Sequence, residues 1–233
     1  MKKKSRLSGE ERRESILRAV GAVFAENGFR GTTTRALADS AGVSEALLFK
    51  HFPSKEALYA AVQASFTGEH GPDRFGQMTA AEPSTASLVR IIHAFYTTLL
   101  PRQGLDSSSG QAILARLMFR SVMEDGEFAR LFLRRVTTRV VAKIEECILE
   151  AANAGDLVEG GRLVPPGLAA WFTHHLIVML MLHHLHEPPL VDYGATPSAA
   201  VEQAVRFALR GIGLKEDAIL RHYRPEEWSR KQL

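Results

Sequence analysis

The sequence predicts an all-α protein, with three short helices at its N-terminal end and a larger helical bundle behind them. Apolar residues recur at helical spacing in successive segments, and no segment sustains the alternating pattern of a β-strand. Glycine, proline and capping residues separate these segments. A chain of 233 residues with 45% hydrophobic and 24% charged residues can build one large or two modest globular cores.

A capping box predicts the start of the first helix. Ser8 stands three residues before Glu11, so each side chain can bond the other residue's backbone amide. An apolar stripe follows at helical spacing, formed by Ile16, Leu17, Val20, Val23 and Phe24. Asn27-Gly28 is a helix stop signal. We expect the stripe to pack against the elements that follow in the chain.

Residues 33–55, TTRALADSAGVSEALLFKHFPSK, predict two short helices joined by a tight turn, with a third helix beginning at Lys55. Gly42 tolerates the backbone of such a turn, and Ser44 is a good N-cap for the second helix. Leu48 and Phe52 are four residues apart and therefore face one core. This order is the helix-turn-helix pattern, in which the second helix enters the major groove of DNA. A glycine turn also joins ordinary helical hairpins, so the turn alone does not distinguish them from a DNA-binding motif.

The full string of motifs is more specific. TTxxxA, then AGVS, then LxFKHFPSKEAL resembles the DNA-binding domain of the TetR family of bacterial transcriptional repressors, over about residues 10–60. The resemblance implies an N-terminal three-helix DNA-binding domain with a helix-turn-helix, residues 1–56. Behind it, residues 57–233 are expected to form a C-terminal helical-bundle domain for ligand binding and dimerisation. Phe49 stands where the family usually has Tyr, and Leu47 where a small or hydroxylated residue is common, so the operator sequence is not predicted.

Two kinds of DNA contact are expected. Hydroxyl and cationic side chains near helix starts suit phosphate, whereas the second helix of the motif faces the groove. Lys50 can donate to guanine, and Glu45 can accept from cytosine N4. Alternatively, Glu45 only complements the helix dipole, and Phe49 is only a core or rim aromatic residue. The predicted DNA-binding residues are Thr33, Thr34, Arg35, Ser44, Glu45, Ala46, Leu47, Phe49, Lys50, His51 and Lys55.

The distribution of charge agrees with this interpretation. Residues 1–60 hold 11 lysines and arginines against 7 acidic residues, a net charge of +4, whereas the remainder holds 18 against 19, a net charge of −1. The basic excess therefore lies entirely at the N-terminal end, as a phosphate-binding module requires. The tripeptide of lysines at positions 2–4 can equally be a solubilising tail.

Apolar periodicity predicts six helices from Lys55 onward. They begin at Lys55, at Ser84 or Thr85, at Gln111, at Glu127, at Pro166 and at Ser198, and the fourth of them runs unbroken to Asn153. The helix from Pro166 to about His186 is apolar nearly all round, so it must be covered on several sides. The helix from Ser198 to about Ile212 carries small residues close to one face, which allow two helices to approach closely.

By resemblance, these last two helices pair across a two-fold axis to form a homodimer. The predicted dimer interface is Val178, Leu182, Ala200, Ala204, Ala208 and Gly211. An operator read by two linked heads needs this symmetry. The alternative is a pair of core helices within one chain.

Side chains of the expected C-terminal domain, residues 57–233, also supply material for an apolar ligand pocket. The predicted ligand-binding residues are Phe95, Leu99, Leu117, Met118, Phe132, Trp171, His175 and Met179. Methionine and aromatic stripes are more often ordinary core. By resemblance, a small-molecule effector entering the bundle would change the separation of the two recognition helices and so release the operator.

Other classes of site are disfavoured. Five histidines, His174, His175, His183, His184 and His186, invite a metal hypothesis, but the first and third are nine residues apart and out of phase on a helix. No metal, no other cofactor and no catalytic residue is therefore predicted; no nucleophile elbow, phosphate loop or zinc-protease motif is present, so an enzyme is not expected.

The predicted function is thus a ligand-responsive regulator, a repressor that binds a palindromic double-stranded DNA operator as a dimer and is released by a small, mostly apolar effector. The alternative is a helical protein-interaction or small-molecule-binding module without specific DNA binding. A lone Cys147 favours a reducing cytoplasm, and the longest apolar run in the C-terminal half, residues 176–182, is too short to span a membrane.

Overall fold

The computed structural model describes residues 8–67, 75–101, 106, 109–158 and 164–229. Its helices are α1 (Gly9–Gly31), α2 (Thr34–Ser40), α3 (Glu45–His51), α4 (Lys55–Thr67), α5 (Gly76–Thr79), α6 (Thr85–Leu99), α7 (Gly110–Met123), α8 (Glu127–Phe132), α9 (Thr138–Asn153), α10 (Pro166–His183), α11 (Pro197–Ile212), α12 (Glu216–His222) and α13 (Pro225–Ser229). Extended pairing in these residues is limited to one β-bridge, between Leu157 and Leu214. The all-α prediction is confirmed.

The capping box and the glycine stop signal of the first helix lie where the sequence predicted them. The Ser8 hydroxyl accepts from the Glu11 amide at 3.2 Å, and a Glu11 carboxylate oxygen accepts from the Ser8 amide at 2.7 Å. At Gly28 the backbone leaves the helix with φ 72°, the stop predicted there, and one more turn carries the chain to Gly31. The predicted end of α4 near residues 68–72 lies outside the described residues.

Three details differ from the sequence prediction. The helix expected to run unbroken from Glu127 contains a π-helical turn, Leu133–Thr137, between α8 and α9. The apolar residues Phe132, Val136 and Val140 stand four apart through the π turn, so helical spacing alone does not reveal it. Helix α10 ends at His183, not near His186, and the short helices α5, α12 and α13 were not predicted.

The described residues divide into two compact units. The first unit contains those in Met1–Pro72 and Ser107–Leu133, and the second contains those in Asp73–Asp106 and Arg134–Leu233. Helices α4, α7 and α8 therefore belong with the N-terminal helices, because Ile113, Leu117 and Phe128 share one buried core with α1. The predicted domain boundary between residues 56 and 57 does not coincide with this division, and as a functional boundary it stays a prediction.

The second unit is a helical bundle around one apolar core. Helix α9 packs against α6 and α10, and α11 packs against α6 and α10. The buried side chains come from each of these four helices and from α12. A small set of polar contacts joins the ends of three helices in this bundle.

Those contacts centre on the buried carboxylate of Asp156. Its Oδ2 accepts from the Thr85 hydroxyl at the start of α6 at 2.6 Å, and its Oδ1 accepts from Arg221 of α12 at 2.7 Å. The hydrogen bond from Thr85, with help from Arg221, holds the pKa of Asp156 below its usual range. The charged form is thus favoured by the folded state.

Replacing Asp156 by Asn is expected to lower the free energy of unfolding at pH 7 by about 1–2 kcal/mol, because two hydrogen bonds to a charged acceptor weaken. A depressed pKa in the folded state contributes stability above the unfolded pKa and loses it as pH falls through the folded pKa. The difference between variant and wild type should therefore shrink below about pH 4. Urea unfolding of the variant and the wild type, at pH 7 and below about pH 4, measures this difference in the free energy of unfolding. Asp217→Asn is the control, since Asp217 also pairs with Arg221 but is exposed; an equal loss there would contradict a special role for Asp156.

Candidate nucleic-acid interface

The first unit positions a helix-turn-helix on a buried apolar scaffold. Helix α1 turns Val20 and Phe24 into the core, where they meet Leu37 of α2 and Leu48 of α3, all at most 1% exposed. Phe52, directly after α3, is also buried, so the predicted Leu48–Phe52 face is confirmed as a core face. The opposite side of α3 is left to solvent.

The turn between α2 and α3 is held by its backbone. Gly42 adopts φ 63°, a left-handed conformation that favours glycine, and the Val43 amide donates to the Ala38 carbonyl at 3.0 Å. The Ser44 hydroxyl then accepts from the Leu47 amide at 3.2 Å and caps α3. Thr33 and Ser54 cap α2 and α4 in the same way. Caps at each helix start define the direction in which α3 presents its side chains.

The predicted DNA-binding residues lie on the surface of this motif. Those that are exposed are Thr33, Arg35, Ser44, Glu45, Ala46, Phe49 and Lys50, and those that are half-buried are Thr34, Leu47, His51 and Lys55. Phe49 is 39% exposed, so it is not a core residue. Its ring is available to a partner, although it lacks the phenolic hydroxyl of the family's usual Tyr.

Two of these residues bond each other. The Thr34 hydroxyl, at the start of α2, donates to Oε2 of Glu45, at the start of α3, at 2.9 Å. Thr34 was predicted to bind phosphate and Glu45 to read a base, so the bond gives Thr34 a different use. It fixes one carboxylate oxygen of Glu45 and leaves the other able to accept from DNA.

Thr34→Val is expected to lower the ratio of specific to non-specific DNA affinity about three- to tenfold, because Glu45 loses the hydroxyl that orients it. Non-specific affinity should stay unchanged, since valine has nearly the same shape as threonine. Titration with operator and with unrelated DNA measures both quantities. An equal loss on both DNAs would instead make Thr34 a phosphate contact, and Glu45→Gln, which keeps an acceptor for Thr34, separates orientation from charge.

Cations rest on the aromatic side chains beside the motif. The Lys55 ammonium lies 4.5 Å from the centroid of Phe29, and the Arg13 guanidinium lies 4.9 Å from that of Phe52. Such contacts hold a cation near a surface without neutralising it. Arg13 was not among the predicted residues; its position in the basic N-terminal segment, residues 1–60, was the available signal. Arg35 pairs loosely with Asp39 at 4.0 Å, and both are highly exposed, so this pair contributes little.

The predicted ligand-binding residues fall into two separate cores. Phe95, Leu99 and Trp171 line the core of the second unit, whereas Leu117, Met118 and Phe132 belong to that of the first. His175 and Met179 are exposed on α10. The first three remain candidates for one effector site, and the pocket as a set of eight stays a prediction.

The predicted dimer residues also divide. Ala204 and Ala208 point into the core of their own unit and are 8% and 6% exposed. Val178, Leu182 and Ala200 are half-buried, and Gly211 is exposed. Their assignment to an interface stays a prediction. The large apolar side chains that do lie on the surface of these two helices were not among the predicted interface residues: Leu168, Phe172 and Met179 of α10 and Phe207 of α11.

The histidines near the end of α10 have other partners. His183 Nδ1 lies 2.7 Å from the Tyr193 hydroxyl, and His184 Nδ1 lies 2.8 Å from the Leu180 carbonyl. Across the described residues, no three His, Cys, Asp or Glu side chains are grouped as a metal ion would need. In the same part of the chain, no helix combines the length and apolar character that a membrane crossing requires.

The region that contains the helix-turn-helix matches a known protein family. Residues 16–62 match the model of the family described as bacterial regulatory proteins, tetR family. The chain is 43% identical over 58 residues to the HTH-type transcriptional activator FasR of Mycolicibacterium smegmatis, and 40% identical over 55 residues to the HTH-type transcriptional repressor KstR2 of the same organism. These matches cover 25% and 24% of this chain. They span only about a quarter of each relative's own length, 26% and 27%.

A solved structure is similar over nearly the whole chain. The transcriptional regulator FadR from Bacillus subtilis, in complex with stearoyl-CoA, aligns with 85% of this chain and 98% of its own, with a TM-score of 0.58. The sequence identity is 16%, so the likeness is one of fold.

Proposed function

We propose that this chain is a member of the tetR family of bacterial regulatory proteins, whose family model residues 16–62 match, and that it is a ligand-responsive transcriptional repressor. It binds a palindromic double-stranded DNA operator as a homodimer, and a small-molecule effector bound in the second unit releases it. It acts without catalysis and in the cytoplasm, where its DNA is.

The surface of α3 carries this proposal. Its buried face is anchored by Leu48, while Ser44, Glu45, Ala46 and Lys50 stand together on the exposed face. These residues combine a hydrogen-bond donor, an acceptor and a methyl group, the chemistry that reads base edges in the major groove. The cation of Lys55 beside the motif suits a phosphate.

Exposed apolar side chains support the homodimer. Leu168, Phe172 and Met179 recur on one face of α10, and Phe207 stands out on α11 at 69% exposure. Ala200 and Gly211 share that face of α11 with Phe207, because they lie seven and four residues away from it. Large apolar groups in such a row favour a covered surface. The partner we assign to it is a second copy of this chain, since a palindromic operator requires two-fold symmetry.

The relatives support the regulatory role and differ in its sign. One is named a repressor and another an activator. We propose repression, and a promoter fusion decides: deletion of the gene should raise expression from the operator if the protein represses, and lower it if the protein activates.

The test of DNA reading is a titration of the purified chain against labelled DNA from its own upstream region. Unrelated DNA serves as competitor, and the salt concentration is varied. We expect binding that survives the competitor and weakens with salt, since phosphate contacts release counterions. Absence of binding even at low salt would contradict the proposal and favour a protein-interaction or ligand-binding module.

A further inference from the structure

One buried histidine of the second unit is left without a hydrogen bond. His174, on α10, is 8% exposed, and its Nδ1 atom is buried with no partner among the described residues. Leaving a buried polar atom unpaired costs free energy, so such groups are rare in folded proteins. Its neighbour Thr173 is also buried, but the Thr173 hydroxyl donates to the Ala169 carbonyl at 2.9 Å. The unpaired atom is thus specific to His174.

Aromatic rings surround this imidazole. It stacks on Phe95 of α6 with centroids 5.9 Å apart and planes at 22°, and it meets Trp171 edge-on at 5.4 Å. His175 approaches it at 5.2 Å. Phe75, just before α5, meets Phe95 edge-on with ring centroids 5.5 Å apart and is only partly buried.

The charge state of His174 limits what it can bind. Burial, and then the neighbouring His175, lower the pKa of His174 to about 4. The ring is therefore neutral at pH 7 and supplies no positive charge to offset the cost of burying a carboxylate. A neutral imidazole offers one donor and one acceptor, and a hydroxyl group can satisfy Nδ1 in either tautomer.

We propose that His174 is the polar anchor of the effector site, and that the effector is an uncharged molecule with a flat aromatic or apolar body and a hydroxyl group that bonds Nδ1. The biological meaning rests on the proposed regulatory function. The binding itself does not, because it is a property of the second unit alone. The flat body of the effector is inferred from the rings of Phe95 and Trp171, and its hydroxyl group from the unpaired Nδ1 of His174.

The test compares three probes of one shape on the full-length protein by equilibrium dialysis: 2-naphthol, naphthalene and 2-naphthoate. We expect 2-naphthol to bind about tenfold more tightly than naphthalene, the value of one added hydrogen bond, and 2-naphthoate to bind most weakly. Equal binding of 2-naphthol and naphthalene, or tightest binding of the carboxylate, would overturn the proposal.

Two variants remove the atom in different ways. His174→Phe keeps a ring between Phe95 and Trp171, and His174→Leu avoids adding bulk. In both, the advantage of 2-naphthol over naphthalene should disappear, whereas it should persist in His186→Phe, the same change at an exposed position. Persistence in the His174 variants would sink the proposal.

The melting temperature of each variant, measured without any probe, is a second readout. Because the unpaired Nδ1 is removed, at least one of the two variants should melt about 2–4 °C above the wild type. If both melt lower, Nδ1 already has a partner such as an internal water, and the proposal is wrong. The DNA titration is run in parallel. If the protein does not bind the operator but still prefers 2-naphthol to naphthalene, the regulatory function is refuted and the site is not. If it binds the operator but does not prefer 2-naphthol, the site alone is refuted.

Discussion

Lys50→Ala is expected to weaken binding to the operator by about thirtyfold or more. Lys50 is exposed on α3, where it can donate to guanine O6 or N7, and one good base contact is worth about 1–3 kcal/mol. A two-fold symmetric dimer presents the residue twice, so the loss is about 2–6 kcal/mol in total. Titration of wild type and variant with operator DNA at fixed salt measures the ratio of dissociation constants.

Lys55→Ala is the matched control for this result. Lys55 lies against Phe29 at the start of α4, where its ammonium suits a phosphate and not a base. Its removal should weaken binding to operator and unrelated DNA alike, and lower the salt slope by about one per head. If Lys50→Ala also weakens both DNAs equally, then Lys50 is a phosphate contact and the base reading assigned to it is wrong.

Phe207→Glu is expected to convert the proposed dimer to a monomer and to reduce operator affinity by a similar or larger factor. Phe207 is 69% exposed in one chain, so a carboxylate there leaves the fold intact. In the dimer two such carboxylates would be desolvated without partners, which is strongly unfavourable. A monomer holds only one recognition helix and loses the second head. Sedimentation equilibrium gives the mass, and the DNA titration gives the affinity.

Leu220→Glu is the control for the dimer. Leu220 is 61% exposed on α12, outside the proposed interface, and it takes the same change in charge. This variant should remain dimeric and bind DNA as the wild type does. A dimeric Phe207→Glu protein, or a monomeric Leu220→Glu protein, would place the interface on another surface.

The helix-turn-helix was predictable because the residues that define its helix ends and its turn lie close together in the sequence. A cap is decided by a residue and the amide three positions later, as at Ser8, Ser44 and Ser54, and a left-handed turn is decided by one glycine, Gly42. The core face of α3 follows from spacing alone, since Leu48 and Phe52 are one turn apart. The sequence by itself therefore determined the fold class, the motif and the exposed face of α3, which is proposed to read DNA.

Tertiary packing decided what local rules leave open. Helix α10 is apolar nearly all round, so periodicity could not say that Phe172 faces solvent and Ile177 the core. Small size attracted Ala204 and Ala208 to the predicted interface, yet both fill their own core, and Phe207 is exposed instead. Helices α7 and α8 joined the N-terminal unit because Leu117 and Phe128 complete its core. In each case the outcome depends on which surface lies opposite, and the partner of an apolar side chain is chosen by residues distant in sequence.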